Sequence, residues 1–91
     1  MNTDHALKTD TFIADVQAEL ARARAKFPAP NLNFVALIEE IGELAKAHLE
    51  EGPEELYKEA VQVAVMAARV ATEGMGIQRE PGGEKLDQDE R

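Results

Sequence analysis

The sequence contains no cysteine, which excludes disulfide bonds, thiolate catalysis and cysteine-based zinc sites. It also contains no apolar run close to the roughly 20 residues that a helix needs to cross a bilayer. The polar segment from Met1 to Thr11 has no apolar signal core. We therefore expect a cytoplasmic protein that does not bind membranes.

Positive charge is scarce, with 10 Lys and Arg residues against 18 Asp and Glu residues and a formal net charge of −8. Nucleic acid polymers are bound through cationic contacts to phosphate, so this balance argues against them as partners. A small anionic ligand remains compatible with the charge if a divalent cation first neutralises a carboxylate cluster.

The chain is also short of bulky apolar side chains, because many of its hydrophobic residues are Ala. Its 91 residues fit one domain, and a domain of this size has a thin core. Small helical chains often share a core with a copy of themselves. We therefore expect a homodimer or homotetramer.

No strand pattern and no internal repeat are visible, and the apolar spacing predicts an all-α fold. A first helix is predicted over about Asp10–Lys26, where Pro28 and Pro30 then stop it. Residues 1–9 are predicted to form a flexible N-terminus, residues 10–74 the helical domain, and residues 75–91 a flexible acidic tail.

The middle of the chain predicts an antiparallel helical hairpin. A second helix is predicted from Asn33 or Phe34 to Glu50, and Asn31 and Asn33 are both candidate caps for it. Gly52 and Pro53 then break the chain and begin a third helix, which continues to about Glu73 and stops at Gly74. Together with the first helix and a second subunit, the hairpin is expected to form a core of the four-helix-bundle type.

Pairs of polar residues three positions apart occur on both helices of the hairpin. Glu40 and Glu43 are neighbours on one face of the second helix, with Glu39 on the side expected to face water. Glu59 and Gln62 have the same spacing on the third helix, and antiparallel packing lets the two pairs face each other. Carboxylate and amide oxygens suit Mg²⁺ or Mn²⁺. The alternative for any one pair is an ordinary solvated surface feature.

Other notable side chains have structural interpretations. Tyr57 is expected to pack at one end of the bundle, and Phe27 and Phe34 are expected in the core. Arg69 and the lysines of the hairpin are expected to be surface charges.

Taken together, these segments resemble the MazG-like all-alpha nucleotide pyrophosphohydrolases over roughly residues 20–74. Glu39-Glu40-Ile41-Gly42-Glu43 is similar to the family's Glu-Glu-x-x-Glu helix, and the following Leu-Ala completes its common Gly-Glu-Leu-Ala element. Glu59-Ala60-Val61-Gln62 is similar to the family's Glu-x-x-Asp element, except that Gln62 stands where the family has Asp.

The resemblance implies Mg²⁺-dependent hydrolysis of a nucleoside triphosphate to the monophosphate and pyrophosphate, often as a housecleaning activity. It also implies dimers or tetramers whose bundle combines helices of different subunits. By resemblance the metal ligands are Glu40, Glu43 and Glu59, with Gln62 at the fourth position as a neutral ligand, and we consider Glu39 an auxiliary base.

The chain also departs from the family. Residues 75–91 do not resemble the cationic phosphate-binding helix of many members. Two alternatives therefore stay open. One is a MazG-like module that binds a nucleotide or metal without turnover, and the other is a structural helical adaptor.

Overall fold

The computed structural model describes residues 3–28 and 32–74, and within these ranges it consists of three helices and no strand. Helix α1 spans Thr3–Lys26, α2 spans Asn33–Glu50 and α3 spans Pro53–Glu73. The all-α prediction is confirmed, and the bounds of α2 and α3 are the predicted ones. The tail that was predicted over residues 75–91 lies outside the described residues.

Helix α1 begins at Thr3, so the predicted start at Asp10 is wrong. The additional turns are stabilised locally and not by burial, since every residue from Thr3 to Thr11 is exposed. The Thr9 hydroxyl donates a hydrogen bond to the backbone carbonyl of His5, and Lys8 forms an ion pair with Asp4. Apolar periodicity, on which the prediction relied, carries no signal for a helical segment that buries nothing.

The two connections follow the local chemistry of their residues. Before α3, Gly52 is extended and Pro53 occupies the first turn, where its missing N–H costs nothing. Glu54 and Glu55 add acidic charge to the same turn, and Gly74 ends the helix with a φ of 95°. Before α2, Leu32 takes the left-handed conformation with a φ of 61°.

Asn33 does not cap α2, although the sequence made it a candidate. It is the first residue of the helix and is buried, and its side-chain Nδ2 donates a hydrogen bond to the carbonyl oxygen of Gly74 at 3.0 Å. The amide therefore joins the start of α2 to the end of α3. The other candidate cap, Asn31, lies outside the described residues.

Helix α3 lies between the other two helices, and α1 and α2 do not contact each other within the described residues. The side-chain bonds of α1 to α3 run in ascending order along both helices, from Asp15–Tyr57 through Glu19–Gln62 to Arg24–Glu73. These helices are therefore parallel, whereas the contact of Asn33 with Gly74 makes α2 antiparallel to α3, as predicted.

The buried apolar core of the described residues is small and consists of Ala47, Val61 and Val65. Several large apolar side chains are exposed on the single chain, among them Phe27 and Phe34, so neither lies in the core of one subunit. The apolar residues of α2 fall into two groups. One group packs against α3, and the other is exposed. Among the described residues, no helix is long and apolar enough to cross a membrane.

A polar network joins the C-terminal ends of α1 and α3. Arg69 is 3% exposed, and it donates from Nη2 to the carbonyl oxygen of Phe27 at 2.6 Å and from Nε to Glu73 at 2.9 Å. Arg24 donates to the other oxygen of Glu73 at 2.7 Å and to the Thr72 hydroxyl at 2.9 Å. Arg69 is thus a buried structural residue, and the predicted surface position is wrong.

We expect Arg69→Met to lower the free energy of unfolding by about 2 to 3 kcal/mol, because it removes the part-buried hydrogen bond to the Phe27 carbonyl and leaves Glu73 with one cation. Urea unfolding measures this loss. The control is Lys58→Met, which removes an exposed ion pair with Glu55 and should cost less than about 1 kcal/mol. Equal losses in the two variants would contradict a structural role for Arg69.

Candidate metal centre

Two carboxyl groups meet between the helices of the hairpin. Glu40 belongs to the least exposed face of α2, which packs against α3 and comprises Asn33, Ala36, Leu37, Glu40, Leu44 and Ala47. Antiparallel packing brings this face to Glu59 of α3, and the side chains of Glu40 and Glu59 are hydrogen-bonded. The sequence spacing predicted this meeting.

The surroundings of this carboxyl pair make ionisation of Glu40 unfavourable. Burial is the largest cause, and it raises the pKa of Glu40 from 4.5 to about 7 together with the hydrogen bond to Glu59. The negative charges of Glu59, Glu43 and Glu39 raise this pKa further, in that order. Near neutral pH Glu40 is therefore only partly ionised.

The other two acids of α2 lie farther from the contact. Glu43 is exposed, because three residues of helix turn it by about 60° from the direction of Glu40. Glu39 is also exposed, as the sequence predicted. Both residues act on Glu40 through their charge and not through a hydrogen bond. Of the four predicted acids, the structure thus brings only Glu40 and Glu59 into contact, while Glu39 and Glu43 act on Glu40 from a distance.

Gln62 is oriented by α1, a helix that the sequence analysis did not connect with the site. Its Nε2 donates a hydrogen bond to Oε2 of Glu19 at 2.9 Å. Glu19 is also paired with Arg22, which donates from Nε to Oε1 at 2.9 Å and from Nη2 to Oε2. The hydrogen bonds from Arg22, then from Gln62, lower the pKa of Glu19 from 4.5 to about 2.

The sequence held a weak signal for Glu19 and Arg22, since oppositely charged residues three apart on a helix form pairs. It did not indicate that α1 would lie parallel to α3 and bring Glu19 to Gln62. That placement depends on tertiary packing, and the hairpin motif alone contains no information about it.

An open groove of about 400 Å³ adjoins Gln62 between α1 and α3. Its polar lining comprises Asp15, Glu19, Arg22, Tyr57, Lys58 and Gln62. The Tyr57 hydroxyl donates to Asp15 at 2.5 Å, and its ring packs edge-to-face on Phe12 with centroids 5.8 Å apart. Tyr57 therefore packs near the N-terminal end of α3, which confirms the sequence prediction. The groove also places two cations, Arg22 and Lys58, beside the candidate site.

The donors present fit a hard divalent cation by their chemistry, since carboxylate and amide oxygens are the ligands that Mg²⁺ and Mn²⁺ prefer. Within residues 3–28 and 32–74, however, no three His, Asp or Glu side chains surround a common point closely enough to hold an ion. The contact of Glu40 with Glu59 supplies two carboxyl groups, and the exposed Glu43 is not in contact with Glu40.

In comparisons with protein-family models, curated proteins and solved structures, no match to this chain was found.

We expect the stability of the wild-type protein to fall as pH rises from about 4.5 to above 7. Between about pH 4.5 and pH 7 the unfolded state loses the proton of Glu40 while the native state still holds it, and the stabilisation is gone once the pH passes the folded-state pKa of about 7. Glu40→Gln removes this dependence. The difference in the free energy of unfolding between Glu40→Gln and wild type should therefore change by about 1 to 2 kcal/mol in favour of the variant from pH 5 to pH 8.

Urea unfolding at both pH values measures the difference between the two proteins. Glu50→Gln, an exposed change on the same helix, serves as the control and should follow wild type. If the stability of Glu40→Gln depended on pH in the same way as that of wild type, the group that titrates would not be Glu40.

Proposed function

We propose that this protein is a Mg²⁺-dependent nucleoside triphosphate pyrophosphohydrolase that acts in the cytoplasm. The observation that carries the proposal is the contact of Glu40 with Glu59 across the hairpin, with Glu43 and Glu39 close enough to act on it by charge. The negative charges of Glu59, Glu43 and Glu39 make ionisation of Glu40 unfavourable, and a divalent cation would offset that repulsion. The resemblance of residues 20–74 to the MazG-like family supports the same reaction.

In this proposal Glu40, Glu43 and Glu59 hold the cation, and Gln62 adds a neutral oxygen donor. Bound Mg²⁺ would supply charge neutralisation for phosphate oxygens and a more acidic water. The chain's own residues position the groups and move the proton. Glu39 is exposed on α2 beside the ligands, so it is our candidate for the base that accepts a proton from the attacking water.

The reaction consumes one water and breaks the phosphoanhydride between the α- and β-phosphates, which gives a nucleoside monophosphate and pyrophosphate. Such a substrate needs cationic contacts in addition to the metal. Arg22 and Lys58 in the groove between α1 and α3 are suitable, because the groove adjoins Gln62. In this proposal Arg22 and Lys58 take the role of the cationic phosphate-binding helix of many MazG-like proteins, which residues 75–91 do not resemble.

A second candidate is a module that binds a metal or nucleotide without turnover. Gln62 favours it, since a neutral amide replaces a carboxylate and its nitrogen is engaged by Glu19. A site with one charge fewer binds a cation more weakly and stabilises less charge in a transition state.

We also propose that the protein assembles as a homodimer, or as a homotetramer made of two such dimers. Phe34, Ile38, Ile41, Ala45 and His48 follow each other at spacings of four and three along α2, the pattern of a helix–helix seam. All five are exposed, whereas only three apolar residues are buried within the part of the chain that the structure describes. A second α2 in antiparallel orientation places the large Phe34 against the small Ala45 of the other copy, so the seam is self-complementary.

Hydrolysis is tested with purified protein, Mg²⁺ and a panel of canonical and non-canonical nucleoside triphosphates, by measuring pyrophosphate release. We expect turnover in wild type and a loss of about a hundredfold or more in Glu59→Gln, because a ligand and part of the carboxyl pair are removed. Glu50→Gln, remote from the pair and exposed, should keep wild-type turnover.

Thermal unfolding with and without millimolar Mg²⁺ separates the alternatives, since a ligand that binds only the native state raises the midpoint. A rise without pyrophosphate release supports the binding module. The absence of both supports the structural adaptor and contradicts our proposal.

The dimer is tested by sedimentation equilibrium of Ile38→Lys, which we expect to weaken association roughly tenfold or more by burying a charge in the seam. Ile13→Lys is a matched control on α1, because Ile13 is 49% exposed and Ile38 is 52% exposed. A monomeric wild type, or equal effects of the two substitutions, would contradict the proposed seam.

A further inference from the structure

Tyr57 lies where two concave surfaces of the protein adjoin. One is the groove of about 400 Å³ between α1 and α3, which carries Arg22 and Lys58. The other is a hollow of about 510 Å³ toward the N-terminus of α1. The residues that line the hollow are Leu7, Lys8, Thr11, Asp15 and Tyr57. Asp15 and Tyr57 line both surfaces, so the groove and the hollow form one continuous cleft.

The cleft follows one side of α1. Most of the α1 residues that line it lie within about 80° of one another around the helix axis. They are Leu7, Thr11, Asp15, Ala18 and Arg22. About 22 Å of helix separates Leu7 from Arg22, so the cleft is elongated.

The surface of the cleft changes from apolar to polar along this length. In the hollow, Leu7 is 60% exposed, and the Thr11 hydroxyl is used by the helix itself because it donates to the carbonyl oxygen of Leu7. The groove at the other end carries the cations Arg22 and Lys58. A ligand with a flat apolar end and an anionic end matches this order, and a nucleoside triphosphate has that composition.

The ring of Tyr57 is held in place without any ligand. It packs edge-to-face on Phe12 with centroids 5.8 Å apart, and its hydroxyl donates to Asp15 at 2.5 Å. Tyr57 nevertheless remains 41% exposed. A side chain whose rotamer is already fixed loses little conformational entropy when a flat ligand stacks on it. Tyr57 is therefore a preorganised aromatic surface in the middle of the cleft.

The cations of the cleft retain donors for an anion. Arg22 uses two N–H groups on Glu19, whereas a guanidinium has five. Its side chain is 61% exposed and that of Lys58 is 68% exposed, so both cations are accessible to phosphate oxygens. The two acids of the cleft are already engaged, because Asp15 accepts from Tyr57 and Glu19 accepts from Arg22.

We propose that this cleft binds a nucleoside triphosphate with the base stacked on Tyr57 and the phosphates against Arg22 and Lys58. The inference rests on the proposed function for the class of ligand, but every contact is made by α1 and α3 and none requires a metal ion. Every base has a π-face, so stacking accepts all bases, and its strength follows the size of the ring system. Tyr57 therefore gives a preference for purines over pyrimidines.

The experiment measures binding of adenosine triphosphate, cytidine triphosphate and inorganic triphosphate by isothermal titration calorimetry, in excess chelator so that no metal is bound. Tyr57→Leu should weaken binding of adenosine triphosphate about tenfold, cytidine triphosphate less, and inorganic triphosphate by less than about twofold. Tyr57→Phe keeps the ring and should stay within about threefold of wild type for all three probes. The matched control is Phe27→Leu, which removes a ring that is 58% exposed and lies outside the cleft lining.

A second readout follows Tyr57 directly in the wild-type protein. The sequence has one Tyr and no Trp, so selective labelling of tyrosine gives ring signals from this residue alone in a nuclear magnetic resonance spectrum. A stacked base shifts these signals upfield, and we expect that shift with adenosine triphosphate and not with inorganic triphosphate. If Tyr57→Leu does not fold, the wild-type ring signals and Tyr57→Phe decide the question.

The outcomes separate this inference from the function on which it rests. If wild type releases pyrophosphate but Tyr57→Leu binds adenosine triphosphate as tightly as wild type, or the ring signals do not move, the cleft assignment is overturned and the hydrolase stands. If adenosine triphosphate binds with the expected dependence on Tyr57 and no pyrophosphate is released with Mg²⁺, the cleft assignment stands and the hydrolase is overturned. The absence of both binding and release overturns both.

Discussion

The packing of α3 against two neighbours that do not touch each other is the constraint on which the rest of the structure depends. A helix that is apolar around most of its circumference gains stability when it is covered on more than one side. Val61 and Val65 are buried in the core by this packing. Two polar residues of α3 each meet one of the covering helices. Glu59 reaches Glu40 on α2, and Gln62 reaches Glu19 on α1. The fold and the candidate site therefore have the same origin.

Local chemistry made much of the fold predictable. Gly52, Pro53 and Gly74 fix the ends of α3 by their backbone preferences, which act within a few residues. The two predictions that were wrong, the start of α1 and the surface position of Arg69, have a different cause. The start of α1 lies in a fully exposed segment, and the burial of Arg69 depends on the carbonyl of Phe27 that another helix supplies. Neither fact is encoded in the spacing of apolar residues.

The site was predictable to the level of the hairpin and no further. Spacing alone placed Glu40 and Glu59 on faces that meet, because antiparallel helices with a short connection must pack together. It did not decide whether Glu40 or Glu43 would face α3, since a rotation of α2 by a fraction of a turn exchanges them. The contact of Gln62 with Glu19 required the position of α1, which no motif in the hairpin specifies.

The lack of contact between α1 and α2 in the described residues has a thermodynamic consequence. Substitutions on these two helices share no neighbours except through α3, so their free-energy effects should add. Helix α1 is also a candidate for a separate unit of local unfolding, because it can leave α3 while the hairpin keeps its own contacts. Such an opening breaks the bond of Glu19 to Gln62 but spares the carboxyl pair. Amide exchange along α1 and proton binding at Glu40 thus report on independent equilibria within one small chain.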